Sequence, residues 1–251
     1  MPSDTLLAIV TGSNRGIGLE TVKQLAEKGY KTLLCARSLQ KAEEQSTKLQ
    51  KLGLDVVPME LDLSKDDSIE KFVSDVNSTY KKVDLLINNA GVLLDLGVNP
   101  SELESKMHQE TFRVNYFGPF ELTKALTPLL KSAKAARVIN LSTQVASLAQ
   151  LSDPDSPLKD DICPAYQASK ASLNVMTTVF AKELAPFGIK VNSTCPGWVD
   201  SGMNDENLPD YGEGVRPLSV KEAVEGFMWL SETNDDLPNG KFFTGKEPVL
   251  W

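Results

Sequence analysis

Short runs rich in Val, Ile and Leu alternate along the chain with longer stretches in which apolar side chains return every three or four positions. The short runs, at 6–11, 32–36, 55–61, 84–88, 137–142 and 190–194, predict strands, and one more is expected over 241–249. They are continuously apolar, which predicts a sheet covered on both faces. The longer stretches, at 18–28, 40–52, 65–80, 101–131, 164–185 and 219–231, predict helices. Within 18–28 the stripe is Leu19, Val22, Leu25 and Ala26, and Gly29 ends it. This alternation predicts an α/β fold: a doubly wound parallel sheet of about seven strands with helices on both faces. No repeat or long linker divides residues 1–251, so a single domain is expected.

Two stretches break the rhythm. Residues 147–163 hold Pro154, Pro157 and an acidic cluster, and 200–217 is rich in Gly, Asn, Asp and Pro. Both follow predicted strand ends, where an open α/β sheet binds its ligands, so they are expected to be substrate-side loops.

Composition narrows the class. Over 251 residues, 41% hydrophobic and 24% charged is the balance of a globular protein and excludes a disordered or collagen-like chain. A net charge of −8 weighs against nucleic acid or an anionic membrane as partner. Cys35, Cys163 and Cys195 are too scattered for a disulfide framework or a zinc site, so no metal is expected. Reduced thiols, no basic leader and no apolar run of membrane-spanning length together predict a cytoplasmic protein.

The first predicted strand runs into Thr11-Gly12-Ser13-Asn14-Arg15-Gly16-Ile17-Gly18 and then an amphipathic helix. Gly12 permits a tight turn, Gly16 lets backbone approach a pyrophosphate, and Gly18 lets helix pack on strand, with phosphate facing the helix N-terminus. The spacing departs from the common G-x-G-x-x-G form. At later strand ends lie Asp62, able to accept from an adenine amine, and Asn88-Asn89-Ala90-Gly91, whose small and amide side chains suit a cofactor cleft. Tyr166 and Lys170 sit four apart on a predicted helix, hence on one face. An ammonium beside a phenol favours the phenolate, so the pair is expected to form an acid/base with a lowered tyrosine pKa.

In this order, and with Asn115 in Val114-Asn115-Tyr116-Phe117-Gly118, Ser142-Thr143 and Pro196-Gly197 added, the sequence resembles the short-chain dehydrogenase/reductase family over essentially its whole length. Cys195-Pro196-Gly197-Trp198-Val199, Gly240-Lys241-Phe242-Phe243 and Trp251 resemble its carbonyl reductase branch. The resemblance implies a Rossmann-type sheet and an NADPH-dependent reductase. In it Tyr166 donates a proton to the carbonyl oxygen, Lys170 holds the ribose hydroxyls, Asn115 anchors a proton-relay water, and a hydroxyl from Thr143 or Ser142 polarises the carbonyl. It also implies cofactor contacts at Gly12, Asn14, Arg15, Gly16, Ile17, Gly18, Asp62, Leu63, Asn89, Ala90, Gly91, Pro196, Gly197, Val199 and Ser201. Thr143 and Tyr166 lie 23 positions apart, more than the family's usual spacing. The insert between them leaves both a monomer and a homodimer open.

The second strand ends Leu34-Cys35-Ala36-Arg37-Ser38. An NAD-preferring site would place an acid there; instead Arg37, with Arg15 in the glycine turn, predicts a pocket for the 2′-phosphate of NADP. Leu93, Leu148, Trp198 and Met203 flank the catalytic segments and are expected to line a substrate pocket for bulky carbonyls. His108 reads as a solvated helix position, and Phe227, Trp229 and Leu230 as core. Competing readings are an alcohol, polyol or steroid dehydrogenase working oxidatively, and a silent dinucleotide sensor. Intact Tyr166, Lys170 and Asn115 weigh against the sensor.

Overall fold

The computed structural model describes residues 5–203, 216–233 and 236–251. Six apolar runs form β1 (Leu7–Val10), β2 (Lys31–Ala36), β3 (Val56–Glu60), β4 (Leu85–Asn88), β5 (Arg137–Leu141) and β6 (Lys190–Cys195). With β7 (Phe242–Thr244) and β8 (Glu247–Pro248) they make one sheet in the order β3-β2-β1-β4-β5-β6-β7-β8. All pairings through β7 are parallel. Strand order reverses between β1 and β4, the switch point at which sheets of this kind open a ligand crevice.

Side chains alternate across the strands and so build two cores. Leu7 and Ile9 face one, with Phe72 of α3 (Asp66–Thr79), Leu122 and Leu126 of α5 (Gly118–Lys131) and Phe180 of α7 (Pro164–Leu184). Ala8 and Val10 face the other, with Val22 and Leu25 of α1 (Gly16–Glu27), Leu49 of α2 (Leu39–Gln50) and Phe227 of α8 (Val220–Phe227). Each such large apolar side chain contributes about 1.5–3 kcal/mol when fully buried. Phe227, Leu230 and Trp229 are core, as expected, and His108 is exposed on α4 (Ser105–Phe112).

A polar chain crosses the sheet and registers α5 and α7 against it. The amide of Asn88 donates to Thr123 at 3.1 Å and to Asn140 at 2.7 Å; Asn140 donates to Thr177 at 2.8 Å, and Thr177 and Ser193 share a hydrogen bond of 2.7 Å. All five residues are buried, so each lost partner would leave a costly unsatisfied group.

Three expectations need correction. The run 241–249 is not one strand, because Gly245, at φ +56°, turns the chain into a tight hairpin and β8 returns antiparallel, making eight strands. The stretch 101–131 is not one helix. A 3₁₀ turn at Pro100–Glu102 precedes α4, and a π turn over Arg113–Phe117 separates α4 from α5. Pro119 has no N–H for the carbonyl of Asn115 four residues earlier, so the α ladder breaks at that carbonyl. The insert at 147–163 is not wholly irregular; it carries α6 (Leu148–Ser152).

Both sheet edges carry a proline. Thr32 donates to Asp55 and Leu61 to Ala36, so by alternation Pro58 of β3 faces the open side. Val249 donates to Phe242, and its neighbour Pro248 faces outward.

Candidate active site

The glycine turn leaves β1 at the switch point. Gly12 and Gly16 hold φ values of +61° and +54°, which only glycine adopts without strain. A Cβ at Gly12 would meet the Cα of Ala90 at 2.9 Å, and one at Gly16 the carbonyl oxygen of Ser201 at 2.8 Å. A Cβ at Gly18 would sit 2.5 Å from the Asn89 amide and 2.7 Å from the Gly12 carbonyl oxygen. The roles expected for Gly12 and Gly18, turn and close packing, are therefore geometric necessities. Asn89 bolts the crevice together rather than presenting its amide: it donates to the carbonyls of Thr11 at 2.7 Å and Gly12 at 3.0 Å. The Thr11 hydroxyl accepts from the N–H groups of Asn89 and Ala90, each at 3.0 Å.

Arg15 and Arg37 stand exposed beside this turn, and among the described residues neither guanidinium has an ion-pair partner. Asn14 and Ile17 are half-buried, Ile17 against the core. Asp62, at the end of β3, already has local partners: the Ser64 N–H and hydroxyl at 3.0 and 2.7 Å, and Lys65 at 3.4 Å. Burial pulls its carboxyl upward, but these donors hold it below the ordinary value. Leu63 next to it is core, and its carbonyl oxygen lies against Gly118, where a Cβ would approach to 2.6 Å.

Across the crevice, Asn115, Ser142, Thr143, Tyr166 and Lys170 converge. The π turn buries Asn115, whose amide donates to the Val92 carbonyl at 2.9 Å and to Ser169 at 3.0 Å and accepts from the Val92 N–H at 2.8 Å. Lys170, buried, reaches the Leu141 carbonyl at 2.7 Å, and its Nζ lies 5.9 Å from the centre of the Tyr166 ring. Gly91 closes the group; a Cβ there would meet Lys170 Nζ at 3.3 Å and Asn115 Oδ1 at 3.4 Å.

The two candidate hydroxyls differ in direction. Ser142 is buried and turned 3.5 Å from the backbone carbonyl of Lys170. Thr143 is only partly buried, at the start of a 3₁₀ turn, where its hydroxyl accepts from the Val145 N–H at 3.4 Å.

The expectation that Lys170 lowers the tyrosine pKa is not met in the protein alone. Burial pushes the Tyr166 phenol above its ordinary value, and burial brings Lys170 down to about 8. Desolvation dominates both groups, and the ammonium is directed at the Leu141 carbonyl.

Pro196 and Gly197 follow β6, with Gly197 at φ +86° and its N–H on the Cys195 sulfur at 3.4 Å. Val199 bridges to Leu218. Of the expected pocket residues, Leu93 and Trp198 are half-buried, whereas Leu148 and Met203 are 69% and 44% exposed. Leu148 starts α6 on the outer rim, and the loop expected over 200–217 lies outside the described residues from 204 to 215. The chain's last residues, absent from the expected site, join this rim. Ser147 donates to the Leu250 carbonyl at 2.6 Å, Ala149 to that of Trp251 at 3.1 Å, and the Trp251 ring stacks on Phe242 at 5.6 Å.

Comparison with known proteins matches this geometry. A family model described as short chain dehydrogenase covers residues 6–212, and the chain belongs to that family of oxidoreductases. The short-chain dehydrogenase anuI of Penicillium roqueforti is 31% identical over 227 residues, spanning 88% of this chain and 89% of the relative. The NADPH-bound carbonyl reductase from chicken fatty liver superposes with a TM-score of 0.83 at 26% identity, covering 98% of this chain and 99% of that one. Salutaridine reductase from Papaver somniferum gives 0.78 at 27% identity, covering 95% and 99%.

Proposed function

We propose that this protein is an NADPH-dependent carbonyl reductase working as one dinucleotide-binding and catalytic domain, with bulky ketones or aldehydes as substrates. The observation that carries the reading is the convergence of Tyr166, Lys170, Asn115 and Thr143 opposite a glycine turn flanked by two exposed arginines with no ion-pair partner among the described residues. The residues fit a nicotinamide dinucleotide: a side chain at Gly12 or Gly16 would collide with the crevice wall, and the α1 N-terminus is free to face a phosphate. When bound, the dinucleotide supplies the hydride. Arg37 and Arg15 hold the 2′-phosphate by charge-assisted hydrogen bonds that Lys or a neutral residue would not reproduce.

Thr143, the less buried of the two hydroxyls, takes the role of holding the substrate's carbonyl oxygen, and Ser142 is a packing residue. Tyr166 gives its phenolic proton to that oxygen as negative charge develops there. Burial raises the phenol's pKa, so the proton that Tyr166 gives up is in place at neutral pH. Tyr166 is left as the phenolate, and Lys170, with water ordered beside the fixed Asn115 amide, would return a proton to it from solvent. Leu93 and Trp198 wall the reacting centre; Leu148 and Met203 form its outer rim.

The test is NADPH consumption over a panel of aldehydes, ketones, quinones and α-keto esters, repeated with NADH. Higher kcat/KM with NADPH, and with aromatic ketones than with acetone, is expected. Equal efficiency with the two cofactors refutes the arginine pocket, and faster acetone turnover refutes the bulky-substrate reading.

A further inference from the structure

The catalytic helix α7 begins without a cap of its own. Its N-cap residue is Cys163, which makes no side-chain capping bond, and Pro164 at the first position has no N–H. The first donors needing partners are therefore the N–H groups of Ala165 and Tyr166. Both are taken by Asp95, seventy residues earlier in the loop after β4 and wholly buried. Its Oδ2 accepts from Ala165 at 2.5 Å, and both carboxylate oxygens lie 3.3 Å from the Tyr166 nitrogen. A second strap runs alongside, from the Gly97 N–H to the Ile162 carbonyl at 2.8 Å.

The same loop is fixed at its other end by Asn115, which brackets the N–H and carbonyl of Val92. Asn115 also donates to Ser169, and Ser169 donates to the Tyr166 carbonyl at 2.8 Å. The bonds close a circuit: Asp95 holds the Tyr166 N–H, Ser169 holds its carbonyl, and Asn115 holds both Ser169 and the loop that carries Asp95. We propose that Asp95 is a positioning residue for the reaction, setting the height of Tyr166 along α7 relative to Asn115 and Lys170 by capping α7 from the β4 loop. This rests on the reductase reading above, in which Tyr166 is the acid.

A carboxylate at a helix N-terminus is favoured by the dipole and by the charge-assisted N–H bonds it accepts. Its length matters as much as its charge. A residue one methylene longer keeps the charge but pushes the first turn of α7 outward, and a misplacement of about 1 Å at a reacting group costs on the order of 100-fold.

Asp95→Glu, Asp95→Ala and Asp95→Asn are compared with wild type by melting temperature, NADPH Kd, steady-state kinetics well below the melting transition, and amide exchange at residues 164–168. For Asp95→Glu, kcat is expected to fall by about tenfold or more, with NADPH Kd within about twofold. Asp95→Ala should speed exchange at Ala165 and Tyr166. Asp95→Asn, which keeps an oxygen acceptor, should recover most of the kcat lost in the alanine variant. A folded Asp95→Glu with wild-type kcat, or unchanged amide exchange in Asp95→Ala, overturns the proposal even where the melting temperature drops, because such a residue merely stabilises. If the alanine variant does not fold, the glutamate variant decides alone. A wild-type protein that binds NADPH but reduces no carbonyl overturns the functional reading separately, and with it this role for Asp95.

Discussion

At the β1–β2 end of the crevice, the proposed cofactor contacts are backbone and exposed charge: glycines with no room for a side chain and two arginines standing in solvent. At the β4–β5 end, the groups proposed to react are buried side chains locked in hydrogen bonds, Asn115 and Lys170 among them, and even Tyr166 is held at both backbone atoms. On this proposal, the first end would exchange one nucleotide for another by altering a surface charge. The second cannot move one residue without displacing its neighbours. Binding preference and chemical competence should therefore separate cleanly under mutation.

The sharpest test of that separation is Tyr166→Phe, which removes one oxygen from the buried end. Turnover is expected to fall by about 10²–10⁴-fold while NADPH binding, followed by fluorescence titration, stays at the wild-type level. A variant keeping more than about a tenth of wild-type activity would break the assignment. Next, Thr143→Ala should cost about 10²–10³-fold in kcat, as loss of one preorganised donor does. Ser142→Ala should leave kcat within a few-fold and cost only about 1 kcal/mol of stability; the reverse ranking would exchange the two hydroxyls.

At the solvent-facing end the effect is smaller and confined to binding. Ala36→Asp with Arg37→Gln is expected to raise the KM for NADPH by about 10–100-fold, the loss of one charge-assisted contact plus a repulsion, and to leave kcat and the KM for NADH nearly unchanged. A matching fall in kcat would show that the two ends are not separable.

The smallest effect is one of pH on stability. Below pH 8 Lys170 is protonated in both folded and unfolded chains, so the cost of burying its charge is complete. As pH rises through 8 the folded lysine releases its proton while the unfolded one keeps it until near 10.5, and the folded state gains. Lys170→Met should thus be more stable than wild type at pH 7, by on the order of 2–3 kcal/mol, with an advantage that shrinks toward pH 10 in urea unfolding. A pH-independent difference would mean that the lysine is not desolvated.

Sequence reading succeeded where the signal is local and periodic. The strands β1 to β6 and the glycine turn are visible because each is one run of side chains with one demand. The hairpin at Gly245 was hidden inside an apolar run, although Thr244-Gly245-Lys246-Glu247 is itself a turn signal. The π turn needed the pairing of Pro119 with the carbonyl of Asn115, which periodicity over 101–131 smooths away. Asp95 and the Leu250–Trp251 contacts with Ser147 and Ala149 are joined to the site only through the fold. The burial that shifts Tyr166 and Lys170 is likewise invisible to spacing, which shows that two groups are neighbours but not that both are dry.

The prolines at the two margins of the sheet bear on how copies of the chain meet. An open strand presents unpaired N–H and carbonyl groups on which a second chain can template itself. Here one outward-facing position at each margin is a proline, Pro58 at one and Pro248 at the other, with Glu60 and Glu247 exposed beside them. Neither margin can donate a complete ladder. Strand addition is therefore disfavoured at both ends of the native sheet.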